Sequence, residues 1–557
     1  MKKKNYWFKK NSFLFLVLIA LFIIACGGSS GPDLTDFCTV VFETEGGTPV
    51  PEPQVVVEGS KIIQPDEEII RAGFTFGGWC INEECTDDWD FENDVVTEDT
   101  ILYVRWEGGG GGRRGGGGGG SGSSPNNNNP GGSGSVTYTV TFDSNGGTPA
   151  APQTKSVSSG SSVGSSLSGF KPTSPAAETF FGWNSKSDGT GTSFYSYTTV
   201  TSDITVFAQW NMHQGTGNPG DPYIVPTGDA LQLVGRDTVT YPDWTRFKHY
   251  KQADDIDMAG ETFTAIKPTS GNLDAFIGSY DGGGYKISNL EINYTGTPSG
   301  RYTGLFGYVG SGAVIKNLKL ENANIQGVDH VGGIAGYIDN ATIENCFVSG
   351  TIKGSTNYVG GIAGDLTGDL GIIRDCIVEV TLVEGSSRVG GVAGNIGSEA
   401  KVYDCYVIGN IKGASYVGGI VGTNYSSSLS TICEVYNCYA AGTVTATTNR
   451  SGGVVGLAQN SKTLNCVALN MEVLSPGADV ARVVGQINGT NVTLTNNYAR
   501  SNMKINGSAL PAGTGLSSDI NGEEITSADW SSLAWWQGKS FTAPFWSGKL
   551  PLPAVLP

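Results

Sequence analysis

A short glycine-rich motif recurs through the second half of this 557-residue chain and constrains its fold more than any other feature. VGGIAG at 331–336 returns at 359–364, and close variants stand at 389–394, 417–422 and 451–456. Successive copies begin 28, 30, 28 and 34 residues apart. Repeats of this period are typical of solenoids, in which one coil cannot bury its own inner face and stacks on the next. We therefore predict a repeat architecture.

A polar residue followed by a cysteine also recurs once per repeat. The alternation of inward-facing apolar and outward-facing polar side chains along a strand fails across this pair unless the backbone bends there. Asn and Asp tolerate the left-handed conformation of a tight bend, and stacked copies would form a hydrogen-bonded ladder with ~4.8 Å steps. The predicted ladder is Asn289, Asn317, Asn345, Asp375, Asp404, Asn437 and Asn465.

The cysteine position carries leucine in the two earliest copies, at Leu290 and Leu318. We therefore interpret the cysteines as small buried apolar residues, stacked in register, rather than as disulfide partners or metal ligands. They are Cys346, Cys376, Cys405, Cys438 and Cys466.

Asp375 and Asp404 occupy the ladder position in adjacent repeats. Carboxylates ~5 Å apart would match a retaining glycosidase pair or attract a cation. We favour two tolerated exchanges of Asn for Asp, because no basic or aromatic cleft is evident around them. The sequence contains no H-E-x-x-H or G-x-S-x-G motif and only three histidines. We expect no catalytic residue, no metal site and no cofactor.

The repeats resemble the GLUG motif of bacterial surface proteins and of some immunoglobulin A peptidases. The preceding stretches DPYIVPTGDALQLVG, DDIDMAG and FIGSYDGGGYKISNLEI also match that family in order and spacing. The resemblance implies an all-β chain whose residues 284–500 form a parallel β-helix of about seven or eight coils. Residues 217–283 would form its N-terminal cap, including a short helix after Thr227.

The last segment, 501–557, is rich in aromatic residues and is predicted to be the C-terminal cap. We favour a hydrophobic lid over the open end of the solenoid, and a sugar-binding platform is the alternative. The aromatic residues are Trp530, Trp535, Trp536, Phe541, Phe545 and Trp546.

Residues 38–106 and 137–210 look like two copies of one module. FETEGGTP, FGGW and DTILYVRW in the first copy correspond to FDSNGGTP, FFGW and DITVFAQW in the second. These motifs resemble the Listeria–Bacteroides repeat, or internalin B-repeat, which implies small ubiquitin-like β-grasp folds. Between the modules, 107–136 is a Gly, Ser and Asn-rich stretch that we predict to be a flexible linker.

The first module contains Cys38, Cys80 and Cys85. Because an exported module would meet an oxidising space, we favour a local disulfide between Cys80 and Cys85, with Cys38 as a competing partner.

We predict that the chain begins with an export signal. Five lysines within the first ten residues precede an apolar run that ends in IIAC, with Cys26 last. The run is too short to span a bilayer comfortably. IIAC resembles the lipobox of bacterial lipoproteins, which implies a signal peptide at 1–25, lipid on Cys26, a tether at 26–37 and delivery to the outer membrane. An ordinary signal peptide cut elsewhere, or an uncut anchor, is the alternative.

The formal net charge of −18 argues against nucleic acid as a partner. We expect a monomeric, lipid-anchored, surface-exposed protein that contacts the membrane through its lipid and displays the solenoid for adhesion to a host or glycan ligand. A polysaccharide-cleaving β-helix enzyme and a purely structural envelope component are the alternatives.

Overall fold

The computed structural model describes residues 37–107 and 136–539 with internal gaps. The signal segment, Cys26, the linker, Phe541, Phe545 and Trp546 lie outside the described residues, as does the side chain of Cys38. The chain divides into two compact units, 1–130 and 131–557. The gaps are 45–53, 58–60, 63, 66–68, 70, 72–74, 82–84, 86–87, 92–93, 97–99, 175–177, 212, 237–240, 267–274, 295–300, 478, 512, 514 and 531.

The first module is a four-stranded sheet of order β2-β1-β4-β3. β1 and β4 are parallel neighbours, and β2 and β3 flank them antiparallel. Trp79, in the FGGW motif, is buried and packs edge-on against Phe42. The strands are β1 (Phe37–Glu43), β2 (Gln54–Val57), β3 (Thr75–Cys80) and β4 (Thr100–Glu107).

The second module is a five-stranded sheet of order β6-β5-β9-β7-β8, with a 3-10 helix, Gly164–Phe170, in the crossover from β6 to β7. This mixed order, with parallel central strands, is that of a β-grasp fold, so the predicted fold class is confirmed. Its strands are β5 (Thr137–Asp143), β6 (Gln153–Ser158), β7 (Phe180–Asn184), β8 (Ser193–Phe194) and β9 (Ile204–Trp210).

The remaining elements form the solenoid and its ends. The helices are α1 (Gly228–Leu231), α2 (Ser527–Trp530) and α3 (Leu533–Gly538). The strands are β10 (Tyr223–Val225), β11 (His249–Gln252), β12 (Ile256–Asp257), β13 (Ser279–Asp281), β14 (Lys286–Ser288), β15 (Glu291–Asn293), β16 (Phe306–Val309), β17 (Val314–Lys316), β18 (Lys319–Gly327), β19 (Val331–Gly332), β20 (Ala335–Asp339), β21 (Thr342–Glu344), β22 (Phe347–Gly354), β23 (Asn357–Gly360), β24 (Ala363–Thr367), β25 (Ile372–Arg374), β26 (Ile377–Glu384), β27 (Ser387–Gly390), β28 (Ala393–Ile396), β29 (Lys401–Tyr403), β30 (Tyr406–Gly418), β31 (Val421–Tyr425), β32 (Cys433–Tyr436), β33 (Tyr439–Gly452), β34 (Val455–Gln459), β35 (Ser461–Leu464), β36 (Val467–Ala468), β37 (Glu472–Leu474), β38 (Val480–Ala481), β39 (Val484–Ile487), β40 (Val492–Thr495), β41 (Tyr498–Arg500), β42 (Lys504–Ile505), β43 (Ser508–Ala509) and β44 (Glu523–Ile525).

Three sheets run along the solenoid. Sheet 1 has the order β10-β11-β13-β17-β21-β25-β29-β32-β35-β40, and sheet 2 has the order β16-β20-β24-β28-β31-β34-β39. Sheet 3 is the 18-stranded sheet that contains β12, β14 and the long strands β18, β22, β26, β30 and β33. The tube has about nine turns over residues 223–505. Seven or eight were predicted because the first turns lack the glycine motif.

The glycine pair repeats because neighbouring coils leave no room for a side chain there. A β-carbon on Gly332 would lie 2.2 Å from the carbonyl oxygen of Ala335, and one on Gly361 would lie 2.2 Å from that of Gly391 in the next coil. Alanine at either position would force adjacent backbones apart. The interior is a continuous core of buried Val, Ile, Leu and Ala.

The second module packs against the start of the solenoid. Phe181 belongs to the solenoid core and contacts Trp244 at 5.8 Å between ring centroids. The predicted helix after Thr227 is α1. Within it, the backbone amide of Ala230 donates to the Thr227 hydroxyl at 3.2 Å. That hydroxyl donates in turn to the carbonyl of Phe180 at 2.7 Å. Module and cap therefore share contacts within one compact unit.

The aromatic residues near the C-terminus lie against the side of the tube, so the predicted lid over its end is wrong for those that are described. Trp536 is fully buried beside Tyr439, at 5.4 Å between centroids. The neighbour of Tyr439, Ala440, lies in the internal core, so Tyr439 points outward. Trp530 and Trp535 join this outer cluster. Because Trp530 and Trp536 are buried, they offer no sugar platform.

Candidate functional site

Six of the predicted ladder residues form one continuous bend line beside sheet 1. Their φ angles lie between 50° and 54°, in the left-handed region. The Asn345 side-chain amide donates to Asn317 at 2.7 Å, and Asn465 donates to Asn437 at 2.8 Å. The ladder is structural: it supplies polar partners at a bend that only a few residue types adopt easily. Its members are Asn317, Asn345, Asp375, Asp404, Asn437 and Asn465.

Asn289 does not belong to this ladder, so its assignment is corrected. It has a left-handed φ of 57°, but it follows β14 in sheet 3 rather than a strand of sheet 1. Its partners are Asn322, which donates to it at 2.7 Å, and Asp257, to which it donates at 2.8 Å. The position aligned with Asn317 in the preceding coil is Gly282. Asn289 therefore marks a second, shorter ladder.

The ladder cysteines form a buried thiol column. All five are at most 1% exposed, and each thiol lies near backbone carbonyls of its own and the preceding coil. Burial raises the pKa of the Cys346, Cys405 and Cys466 thiols well above the ordinary value. Asn497 stands at the next step and accepts from the Cys466 amide at 3.0 Å. Thiols buried in an apolar column of this kind are inert.

A sixth solenoid cysteine, Cys433, went unnoticed in the repeat pattern. It begins β32 and is buried, and burial raises its pKa to about 12. Its neighbour in register is Ser461, so it fills a separate small-residue position rather than the thiol column.

The two ladder carboxylates have protein partners. Asp375 pairs with Arg374 at 2.8 Å, and Arg374 also pairs with Glu344. Asp404 accepts from the Asn437 side-chain amide at 3.1 Å. Among the residues that the structure describes, no group of three His, Cys, Asp or Glu side chains is placed to hold a metal ion. These contacts favour a structural role for both residues.

The first module carries a disulfide between Cys80 and Cys85, whose Cα atoms lie 5.1 Å apart. It closes the short segment after β3.

A second left-handed line runs along the solenoid, and sequence reasoning missed it. It consists of the residue immediately before each V-G-G or S-G-G motif. These positions carry large side chains, although a left-handed φ is costly for such residues. With Tyr302 of the preceding coil, we name this line the ring column; its left-handed members are His330, Tyr358, Arg388, Tyr416 and Arg450, with φ between 50° and 61°.

Side chains of the ring column stack on one another from coil to coil. His330 stacks on Tyr358 with ring centroids 4.4 Å apart. The Arg388 guanidinium lies 5.0 Å from the Tyr358 ring and 5.6 Å from the Tyr416 ring. Arg450 covers the other side of Tyr416 at 4.9 Å. Aromatic and cationic groups therefore alternate over several coils, an attractive arrangement for ring quadrupoles.

A polar line from sheet 2 lies beside the ring column. Asp365 is 7% exposed and accepts from the Asn395 side-chain amide at 2.8 Å. Burial raises the pKa of its carboxyl. The His330 imidazole stands between two acids, with Nε2 3.7 Å from Asp365 and Nδ1 3.3 Å from Asp329. This part of the surface therefore combines aromatic rings, cations and hydrogen-bonding groups.

Arg388 differs from the other arginine of the ring column. Arg450 donates to Gln486 and to the Tyr416 hydroxyl, and it pairs with Asp479. Arg388 contacts two rings and, among the described residues, makes no hydrogen bond or ion pair, although its charge acts at longer range on the buried carboxylate of Asp365. Its half-buried guanidinium therefore keeps its N–H donors for solvent or a ligand.

Comparisons with known proteins agree with the repeats. Residues 39–104 and 138–209 match the Listeria-Bacteroides repeat domain. Residues 327–353 and 413–445 match the GLUG motif. The chain combines both kinds of repeat. The two resemblances drawn from the sequence are thus confirmed.

Curated relatives share only parts of the chain. A "Putative membrane protein" of Evansella cellulosilytica is 29% identical over 32% of this chain and 22% of its own length. A "Putative Gly-rich membrane protein" of the same organism is 29% identical over 31% of this chain and 16% of its own length. Halomucin of Haloquadratum walsbyi is 34% identical over 17% of this chain. The chain spans less than a quarter of each relative.

A solved structure described as a putative immunoglobulin A1 protease from Bacteroides ovatus is 20% identical, with a TM-score of 0.39. The match covers 58% of this chain and 89% of that one. Within the described residues, no helix has the length and apolar character needed to cross a membrane.

Proposed function

We propose that the chain is a lipid-anchored protein of the bacterial cell surface whose solenoid binds an external ligand without transforming it. The Cys26 motif supports attachment through lipid and delivery to the outer membrane. The names of two relatives support an envelope location. The tandem β-grasp modules would carry the solenoid away from the membrane.

The ring column is the observation that carries the binding role. Five large side chains adopt left-handed conformations along one line. At its own left-handed bend, the ladder of sheet 1 uses Asn or Asp instead. Backbone strain of this kind, of the order of 1 kcal/mol per residue, persists where a side chain is needed for more than the bend itself. Tyr and Arg, which make up the half-buried part of the column, are also enriched among the residues that dominate binding energy at interfaces.

The test uses the full-length chain purified in detergent, presented to immobilised mucin, matrix proteins and a panel of polysaccharides. We expect saturable binding to at least one surface, with no release of cleavage products on prolonged incubation. Saturable binding with product release would favour the carbohydrate-active enzyme. Failure to bind any surface would favour a purely structural envelope component.

A further inference from the structure

We propose that Arg388, held between Tyr358 and Tyr416, is a subsite for the carboxylate group of an acidic polysaccharide. The inference rests on the proposed function and names the ligand class for the same surface. It is carried by the position of one unpaired guanidinium in a regular line of rings.

The Arg388 guanidinium carbon lies over two tyrosine rings, 5.0 Å from that of Tyr358 and 5.6 Å from that of Tyr416, so the side chain is restrained between them. A planar guanidinium binds a carboxylate through two parallel N–H···O bonds, and ordering it in advance lowers the entropy cost of binding. The hydroxyl of Tyr358 has no hydrogen-bond partner in the described part of the chain, so it can serve a neighbouring sugar hydroxyl.

The backbone at Arg388 supports a role beyond stacking. Its φ is 54°, whereas Asn occupies the equivalent strained position at most steps of the sheet 1 ladder. Asn tolerates this conformation better than Arg. If position 388 served only the bend, Asn or Gly would suit it better than Arg. If it served only to stack between Tyr358 and Tyr416, an uncharged side chain would be enough.

The surrounding charges limit how anionic the ligand can be. Asp365 and Asp329 lie near the ring column, and the whole chain carries a formal net charge of −18. Dense polyanions would be repelled at long range. A sugar polymer with isolated carboxylates and many hydroxyls would suffer less repulsion, and its hydroxyls could hydrogen-bond to polar side chains beside the column.

The ring column also has the shape expected for a linear ligand. Six side chains follow one another at the spacing of stacked strands, so the line is ~24 Å long. A small anion would need only Arg388, whereas a polymer would contact several steps. We therefore expect affinity to rise with ligand length.

The experiment measures binding of polygalacturonate, alginate and hyaluronan to the full-length chain by titration calorimetry. Each polymer is also tested after its carboxyl groups have been reduced to alcohols, which leaves the other sugar hydroxyls in place. Polyglutamate serves as a carboxylate polymer without sugar. We expect at least one native polymer to bind, its reduced form to bind roughly 10- to 100-fold more weakly, and polyglutamate not to bind.

The variants separate Arg388 from general charge. Arg388→Asn suits the left-handed bend, so it should fold, as judged by its melting temperature, and lose the preference for the native polymer. Arg388→Lys keeps the charge but not the planar fork, and should recover only part of the affinity. Arg374→Asn is the matched control, because Arg374 already pairs with Glu344 and Asp375 on sheet 1. It should bind like wild type.

Equal binding of native and reduced polymers, or equal losses in Arg388→Asn and Arg374→Asn, would overturn the carboxylate subsite. So would full recovery by Arg388→Lys or equal binding of polyglutamate. If the chain binds mucin or a matrix protein but none of the acidic polymers, the inference fails and the proposed function stands. If it binds no surface of either panel, both fail.

Discussion

The side-chain amide of Asn345 donates a 2.7 Å hydrogen bond to the side-chain carbonyl of Asn317, the equivalent residue in the preceding coil. Both residues are left-handed, with φ of 52° and 53°. Each Asn therefore serves its own bend and binds the neighbouring coil at the same time. The stability of the tube should depend on these half-buried residues more than their position at the edge of the strands indicates.

Asn437 allows the contribution of the ladder hydrogen bonds to be separated from that of the left-handed bend. It donates to Asp404 at 3.1 Å and accepts from Asn465 at 2.8 Å, with φ of 53°. Asn437→Ala removes both hydrogen bonds and places a β-carbon residue in the left-handed bend, so we expect a loss of ~2–4 kcal/mol in unfolding free energy. Asn437→Gly loses the bonds but relieves the bend, so its loss should be smaller. Urea melts monitored by circular dichroism measure both. A Gly variant less stable than the Ala variant would contradict the left-handed bend.

The thiol column predicts protection from alkylation. Cys346, Cys376, Cys405, Cys438 and Cys466 are buried. In native protein they should resist iodoacetamide, and denaturant should expose all five, as counted by mass spectrometry. Cys405→Ser adds a hydroxyl to an apolar site and should cost ~1–3 kcal/mol. Rapid labelling of the native column thiols would show that the coils open far more readily than their packing implies.

Asp365 should make stability depend on pH. Burial raises the pKa of Asp365, so protonation of its carboxyl stabilises the folded state. This stabilisation is complete below ~3.9, the pKa of an unfolded Asp, and is lost as pH rises through the folded pKa. Asp365→Asn should therefore be more stable than wild type at neutral pH, with a difference that shrinks on acidification. Thermal melts between pH 4 and pH 8 measure this difference.

Asp329 provides a control of opposite sign on the other side of His330. Burial alone would raise the pKa of Asp329, but the His330 imidazole 3.3 Å away, the nearby Thr356 hydroxyl and a hydrogen bond from the Asn357 amide lower it. Its stabilising contribution is present above the unfolded pKa and is lost on acidification. Asp329→Asn should therefore be less stable than wild type at neutral pH, with a gap that closes as pH falls. The same pH trend in both variants would refute the electrostatic explanation.

Lipid attachment is tested in cells. Wild type should incorporate labelled palmitate and partition with the membrane fraction, because acyl chains on Cys26 would anchor it. Cys26→Ser should remain unlabelled. Equal labelling of the two proteins would exclude Cys26 as the attachment site.

The sequence predicted the part of the fold that repeats with a fixed residue type. Asn before Cys signals a bend and a buried position together, so most of the ladder was found. Asn289 was misplaced because SNLEI and KNLKL look alike locally, and only pairing with Asn322 shows which sheet the segment joins.

The ring column was missed for the opposite reason. The residue before each glycine pair varies between His, Tyr and Arg, which looks like an unconstrained turn in sequence. A signal was present, since each of these residues can stack on a ring or offer a charge to one. The position of Trp536 could not be foreseen either, because its site depends on outward-facing rings such as Tyr439 in a distant coil.

The docking of the second module through Phe181 has a consequence for growth of the protein by gene duplication. Each middle coil pairs its strands only with the coils above and below it, and the first coil is matched to the module rather than to another coil. Insertion of one more repeat between the first coil and the coils that Trp536 packs against would leave both terminal contacts unchanged. It would lengthen the ring column by one step. Variants that differ by whole coils should therefore fold alike and differ in the length of ligand that the column can contact.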